Sequence, residues 1–129
     1  VRPRGAGGAA ARPERRAAYA RGRGAERWAA WWLRLEGYRI LARDFRVPQG
    51  EIDLIARRGR LVIFVEVKHR DRQAAAAEAI GRRQRLRIER AAAAFLQRHP
   101  ALAACRLRFD ALLLSPRRLP RHVAAAWRP

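Results

Sequence analysis

The chain has 129 residues and a formal net charge of +19, from thirty Lys and Arg against eleven Asp and Glu; this length suits one domain with a core of its own. Its single cysteine, Cys105, excludes an internal disulfide. No apolar run approaches the roughly 18 residues of a membrane span, and the N-terminal segment lacks the apolar stretch of a secretory leader, so a soluble cytoplasmic protein is expected.

So basic a chain calls for a polyanion, nucleic acid above all, bound through its phosphates and sensitive to salt. Composition tempers this. Asn, Thr and Met are absent and every basic residue but one is arginine, the usage of a GC-rich coding sequence, which loads arginine onto any solvated surface. That bias does not account for the shortage of Asp and Glu, and nucleic-acid binding remains the leading reading of the charge.

Residues 1–23 are mostly Arg, Ala, Gly and Pro with almost no large apolar side chain. They cannot bury enough surface to offset the entropy of ordering and are expected to form a mobile basic arm, leaving 24–129 as the folded domain. From Gly24, Trp28, Trp31, Trp32 and Leu35 fall at i, i+3, i+4 and i+7, which predicts a helix with Gly37 as its stop and these four facing the core, a base-stacking platform of the three tryptophans being the lesser reading. Residues 38–46 form a short extended segment closed by Pro48-Gln49-Gly50, and residues 51–57 and 60–68 form two strands around a turn at Arg58-Gly59. The second strand is almost continuous in Val, Ile, Leu and Phe, as in a central strand covered on both faces. Residues 74–98 read as a long helix with Ile80, Leu86, Ile88, Ala92, Phe95 and Leu96 inward, ended by His99-Pro100. A strand over 105–114 follows, and 119–127 adds an edge. This order of elements predicts an α/β sandwich around a mixed sheet.

The sole lysine, Lys68, closes the central strand. Where coding bias turns other cations into arginine, a retained lysine marks a place where the compact ammonium is needed and the planar guanidinium does not serve. With the turn at Arg58-Gly59, Asp53 faces Phe64 and Glu51 faces Glu66. Residues two apart on a strand share a face, so Glu51, Asp53, Glu66 and Lys68 project from one side of the sheet. Acids gathered in this way repel one another and lose hydration unless a cation compensates. Mg²⁺ or Mn²⁺, held through one or two carboxylates together with substrate phosphate, is the expected cofactor, and Lys68 would act on the attacking water. An ordinary salt-bridged set is the competing reading.

Asp53, followed after thirteen residues by Glu66-Val67-Lys68, is the Asp…Glu-x-Lys signature of the PD-(D/E)xK nucleases. The longer string Gly50-Glu51-Ile52-Asp53-Leu54-Ile55-Ala56, then Phe64-Val65-Glu66-Val67-Lys68 and Arg70, resembles the YraN family of uncharacterised bacterial proteins. Gly24-x-Glu26, Gly37-Tyr38-Arg39-Ile40-Leu41 and Arg108-Phe109-Asp110 extend the likeness to about residues 22–127. That family is distantly similar to archaeal Holliday-junction resolvases. The resemblance implies a restriction-endonuclease-like three-layer sandwich, a central mixed sheet flanked by helices, with Asp53 and Glu66 as metal ligands and Lys68 as the catalytic lysine. It also implies that Glu26 from the first helix joins the metal site and that Gln84 on the second long helix joins the catalytic set. Ile52 stands where the superfamily motif has proline.

Asp110 is expected to be structural, paired to an arginine. His69, His99 and His122 lack metal-ligand spacing and are expected at the surface or in packing, and Cys105 as a buried small residue. The arginines at 82, 83, 85, 87 and 90 form either a solvated helix face or a stripe that tracks phosphates. Three functions therefore compete: a metal-dependent endonuclease on DNA, with branched substrates suggested by the resolvase likeness; a nucleic-acid-binding module without turnover; and a protein-interaction adaptor. A junction resolvase needs two sites and hence a homodimer.

Overall fold

The structure, a computed structural model, describes residues 13–69 and 80–129, the first eleven of them as backbone only. Its elements in chain order are α1 (Pro13–Leu35), β1 (Arg39–Val47), β2 (Gly50–Arg58), β3 (Leu61–His69), α2 (Arg82–Arg98), a 3-10 turn (Pro100–Leu102), β4 (Arg106–Leu114) and β5 (Arg121–Trp127). The five strands form one sheet in the order β1-β2-β3-β4-β5, antiparallel except where β3 meets β4. α1 covers one face and α2 the other, each over its own apolar cluster. This is the α/β sandwich that the order of elements predicts, with the restriction-endonuclease-like architecture that the family resemblance implies.

β3 owes its central place to its composition. Leu61 to Val65 are buried without a break, which only a strand with layers on both faces permits. Ile63 and Val65 pack under α1, while Val62 and Phe64 pack under α2, where Phe64 meets Phe95 edge-on and stacks on Phe109. Gly50 sets how closely α2 lies on β2: a Cβ there would be driven into the backbone carbonyl of Arg87.

Three expectations are corrected. The β2–β3 turn is Gly59-Arg60, with Arg58 opposite Leu61. Gly59 takes φ +61 as the first central residue, the type II′ preference for glycine; a turn at Arg58-Gly59 would have put an arginine at the first central position. Partners consequently shift by two, Ile55 rather than Asp53 facing Phe64. An even shift keeps the parity of the pairing, so Glu66 and Lys68 stay on the face expected of them.

The second correction concerns α1. It docks through Ala29, Ala30 and Leu33, all fully buried, whereas Trp28, Trp31 and Leu35 are exposed and Trp32 is only partly covered. Small side chains let the helix lie close on Leu54, Ile63 and Leu112, and a row of tryptophans would hold it off. The helix also begins at Pro13 rather than Gly24, proline being well suited to a first turn. Residues 1–12 of the expected arm lie outside the described residues.

Third, α2 starts at Arg82, after Gly81 as its N-cap, and residues 74–79 of the longer expected helix lie outside the described residues. Of its expected inward set, Ile80, Ile88, Ala92 and Phe95 are buried, but Leu86 is exposed. Among the described residues no helix is long and apolar enough to cross a membrane.

Candidate active site

The ladder between β2 and β3 ends at Leu54 and Val65. Past that pair β2 stays with β1 as far as Gly50 opposite Val47, and β3 stays with β4 as far as His69 opposite Leu114, so the sheet opens into a fork. Asp53 lies one step beyond the last pair. Its Oδ2 accepts the backbone N–H of Val67 at 2.8 Å, satisfying a donor that the parted ladder would otherwise strand.

Glu66 and Lys68 alternate with Val65 and Val67 and so share the α2 face. From the first turn of α2, Gln84 ties them together: Lys68 Nζ donates to Gln84 Oε1 at 3.1 Å, and Gln84 Nε2 donates to Glu66 Oε2 at 2.6 Å. Lys68 Nζ also stands 3.6 Å from Glu66 Oε2. An amide can do this because it carries a donor and an acceptor on one plane. The lysine and the glutamate are thereby fixed in relation to one another.

The electrostatics are those of crowded acids. Burial first, then the charge of Asp53, pushes Glu66 up to about 8 against the attraction of Lys68. Burial also drives Asp53 above its ordinary value, with Glu51 and Asp44 adding to the shift, while the Val67 N–H and a hydrogen bond with Glu66 pull the other way. Glu26, from α1, is pushed up to about 7 by burial and by Asp53 and Asp44, over the opposing pull of Arg46 and Arg43. Glu51 is not drawn into the cluster. It is exposed, with Oε1 3.6 Å from Nη1 of Arg46, which also holds Asp44 at 2.8 Å.

A divalent cation would reverse all three shifts. Among the described residues no three His, Cys, Asp or Glu side chains gather into a cage, so a cation at the fork would have the carboxylates of Asp53 and Glu66 to bind, with the charge of Glu26 felt at Asp53. Two carboxylates suit Mg²⁺ or Mn²⁺, whose remaining positions go to water and phosphate oxygen. The first turn of α2 carries Arg82, Arg83 and Arg85 and no acid, so its side chains add to the positive end of the helix rather than offset it. Arg82 and Arg83 are exposed, whereas Arg85 is occupied with the Ile80 carbonyl and the Trp127 ring.

The model of the uncharacterised protein family UPF0102 matches residues 25–114. The chain belongs to that family. UPF0102 is the YraN family to which the motifs pointed. Among its relatives, a UPF0102 protein of Paramagnetospirillum magneticum is 56% identical over 116 residues, covering 87% of this chain and 90% of its own length. A UPF0102 protein of Sphingopyxis alaskensis is 56% identical over 115 residues, 89% of this chain and 98% of its own. The UPF0102 match takes in Glu26, Glu51, Asp53, Glu66, Lys68 and Gln84.

A second polar cluster, on the α1 face, was not foreseen as a unit. Asp110 is fully buried and takes a two-pronged contact from Arg108, at 2.8 Å from Nε and 2.8 Å from Nη2. His122 bridges Asp110 and Glu36, each at 2.7 Å, and the Ala125 N–H donates to Asp110 at 2.9 Å. Burial works to lower the His122 pKa, but its two carboxylate partners raise it overall. For Asp110, burial is outweighed by His122, Arg108 and the Ala125 N–H, and its pKa falls. From sequence an unspecified arginine is expected to pair with Asp110, and Arg108 is that partner; His122 comes from another strand and Glu36 from beyond α1, and no local spacing joins them. His99 stacks on Phe95, His69 is exposed and Cys105 half-buried.

Proposed function

We propose that the chain is a metal-dependent endonuclease that hydrolyses phosphodiester bonds in DNA, with branched or structured DNA as its substrate class. The observation that carries this reading is the fork itself: two buried carboxylates pushed towards protonation and a lysine pinned beside them by Gln84. A salt-bridged structural cluster has no need to hold its acids above their ordinary range; Asp110, whose pKa falls, is the example within the same molecule.

Mg²⁺ or Mn²⁺ held by Asp53 and Glu66, with Glu26 facing it, would supply charge to the scissile phosphoryl group and a more acidic water. Lys68 directs one N–H to Gln84 and has others left to orient the attacking water. Gln84 keeps both Lys68 and Glu66 from turning away. Arg82 and Arg83, at the N-terminus of the same helix, attract the phosphates that flank the cut. A substrate with two equivalent strands to cut calls for two copies of the chain.

The test is a panel of single-stranded, duplex, flap and four-way-junction DNA, with RNA controls, incubated with Mg²⁺, with Mn²⁺ and with chelator. Metal-dependent cleavage is expected, and Lys68→Ala and Asp53→Asn should abolish it while leaving binding intact. Cleavage unchanged in both variants sinks the mechanism. Salt-sensitive binding with no cleavage under any condition would instead mark a binding module without turnover.

A further inference from the structure

α1 shows the sheet its small side chains and shows solvent its large ones. Trp28, Trp31 and Leu35 are 42%, 58% and 69% exposed, and apolar side chains exposed side by side on one ridge, unlike scattered ones, mark an interaction surface. Beside them on the helix run Arg27 and Arg34, both exposed. Arg27, Trp31 and Arg34 fall at i, i+4 and i+7, one continuous row, and the Arg34 guanidinium lies 5.7 Å from the centre of the Trp31 ring. Flat rings are thus interleaved with cations along one ridge. The two acids nearest the ridge are turned elsewhere: Glu26 is half-buried towards Asp53, and Glu36 is taken up by the Trp32 indole N–H at 3.1 Å and by His122.

From this arrangement we infer that the outer face of α1 is a stacking platform for single-stranded nucleic acid, bases lying on Trp28 and Trp31 and phosphates meeting Arg27 and Arg34. Charge selects this occupant. A second copy of the chain would bring the same arginine row against itself within a molecule of net charge +19, a like-charge contact that costs several kcal/mol. Single strands offer what the ridge lacks: negative charge at regular intervals and unpaired bases with open π-faces. Duplex DNA offers only the charge, its bases being stacked on one another. The inference concerns binding alone and does not rest on cleavage; Trp28, Trp31 and Leu35 lie on the side of α1 away from Ala29, Ala30 and Leu33.

The test measures binding by the full chain in chelator, with oligo(dT), duplex DNA and heparin as probes. Oligo(dT) should quench the tryptophan emission of the unaltered protein, and heparin, which has no rings, should not. The double variant Trp28→Ala, Trp31→Ala should lose about tenfold or more in oligo(dT) affinity, since each stacked base is lost by truncation. It should hold its affinity for duplex and heparin, and Trp28→Phe, Trp31→Phe should recover most of the loss. Both pairs should melt with the unaltered protein, because the rings are exposed. Equal losses for heparin and oligo(dT) would overturn the inference in favour of a charge-only or acidic-peptide surface. A free protein that changes oligomeric state in the alanine variant would overturn it in favour of self-association, and undiminished oligo(dT) affinity without quenching would overturn it outright.

Discussion

Replacing Glu66 by glutamine should make the metal-free protein more stable. In the folded chain the carboxyl of Glu66 is held at about 8, against an ordinary 4.5, so between those values the folded state binds a proton that the unfolded state has released. Stability therefore falls as pH rises through that window, at up to about 1.4 kcal/mol per pH unit. By pH 7 the accumulated cost is on the order of 3 kcal/mol, and by pH 5 it is under about 1 kcal/mol. The side chain is only 10% exposed, so solvent screening takes little from this figure. Glu66→Gln removes the titration while its amide oxygen can still accept from Gln84 Nε2. For a chain of 129 residues, 3 kcal/mol corresponds to roughly 10 °C in Tm. Thermal unfolding in chelator at pH 5, 6, 7 and 8 should therefore show a gap between variant and parent that opens with pH. Added Mg²⁺ should raise the parent more than the variant. A variant less stable than its parent at pH 7, or a gap of one size at every pH, would refute the reasoning.

The remaining predictions concern the supports of the site and the second polar cluster. Gly50→Ala should cost about 1–3 kcal/mol by forcing α2 off β2, read as a lowered denaturation midpoint, and should weaken cleavage through Gln84. His122→Gln should cost about 1–3 kcal/mol below pH 6.5, where the bridge between Asp110 and Glu36 is fully charged. Because the folded pKa of His122 is raised, the difference from the parent should shrink as pH climbs through that value, in melts run on both proteins. Ala125 sits at φ 52, a left-handed conformation that costs a residue with a Cβ about 1 kcal/mol or more. Ala125→Gly should thus raise stability by up to about 1 kcal/mol in chemical unfolding, and a loss would show that the strain is absent.

The elements of this fold were legible because their signals are local: the apolar run of β3, the glycines at turns, the proline after α2. The meeting of Asp53 with Glu66 across β2 and β3 was legible too, and it survived a misplaced turn because the error was even and kept the parity of the pairing. The side of α1 was misread for a physical reason. Hydrophobicity ranks Trp above Ala, but contact between a helix and a sheet rewards closeness, and Ala29, Ala30 and Leu33 give it. Gln84 was singled out only through family resemblance, and its bridge between Lys68 and Glu66 was not foreseen, since nothing in the helical pattern says which polar residue of a first turn will reach across to a strand. Glu51 was placed on the correct strand, yet its neighbour Arg46 on β1 claims it, a pairing that depends on the β1–β2 register. The His122 cluster joins residues 36, 108, 110 and 122, and no one-dimensional spacing encodes such a meeting.

The bond from Val67 N–H to Asp53 makes the carboxylate a splice between two strands as well as a candidate ligand. One of its oxygens is committed as soon as the sheet forms, so its orientation is inherited from folding and is not left for a ligand to impose. Substitutions at this position consequently report on two things at once. Alanine would leave an amide proton unanswered at the mouth of the fork and loosen the sheet there, whereas asparagine keeps an oxygen to receive it. Any attempt to silence the proposed chemistry while preserving the scaffold should start from the amide.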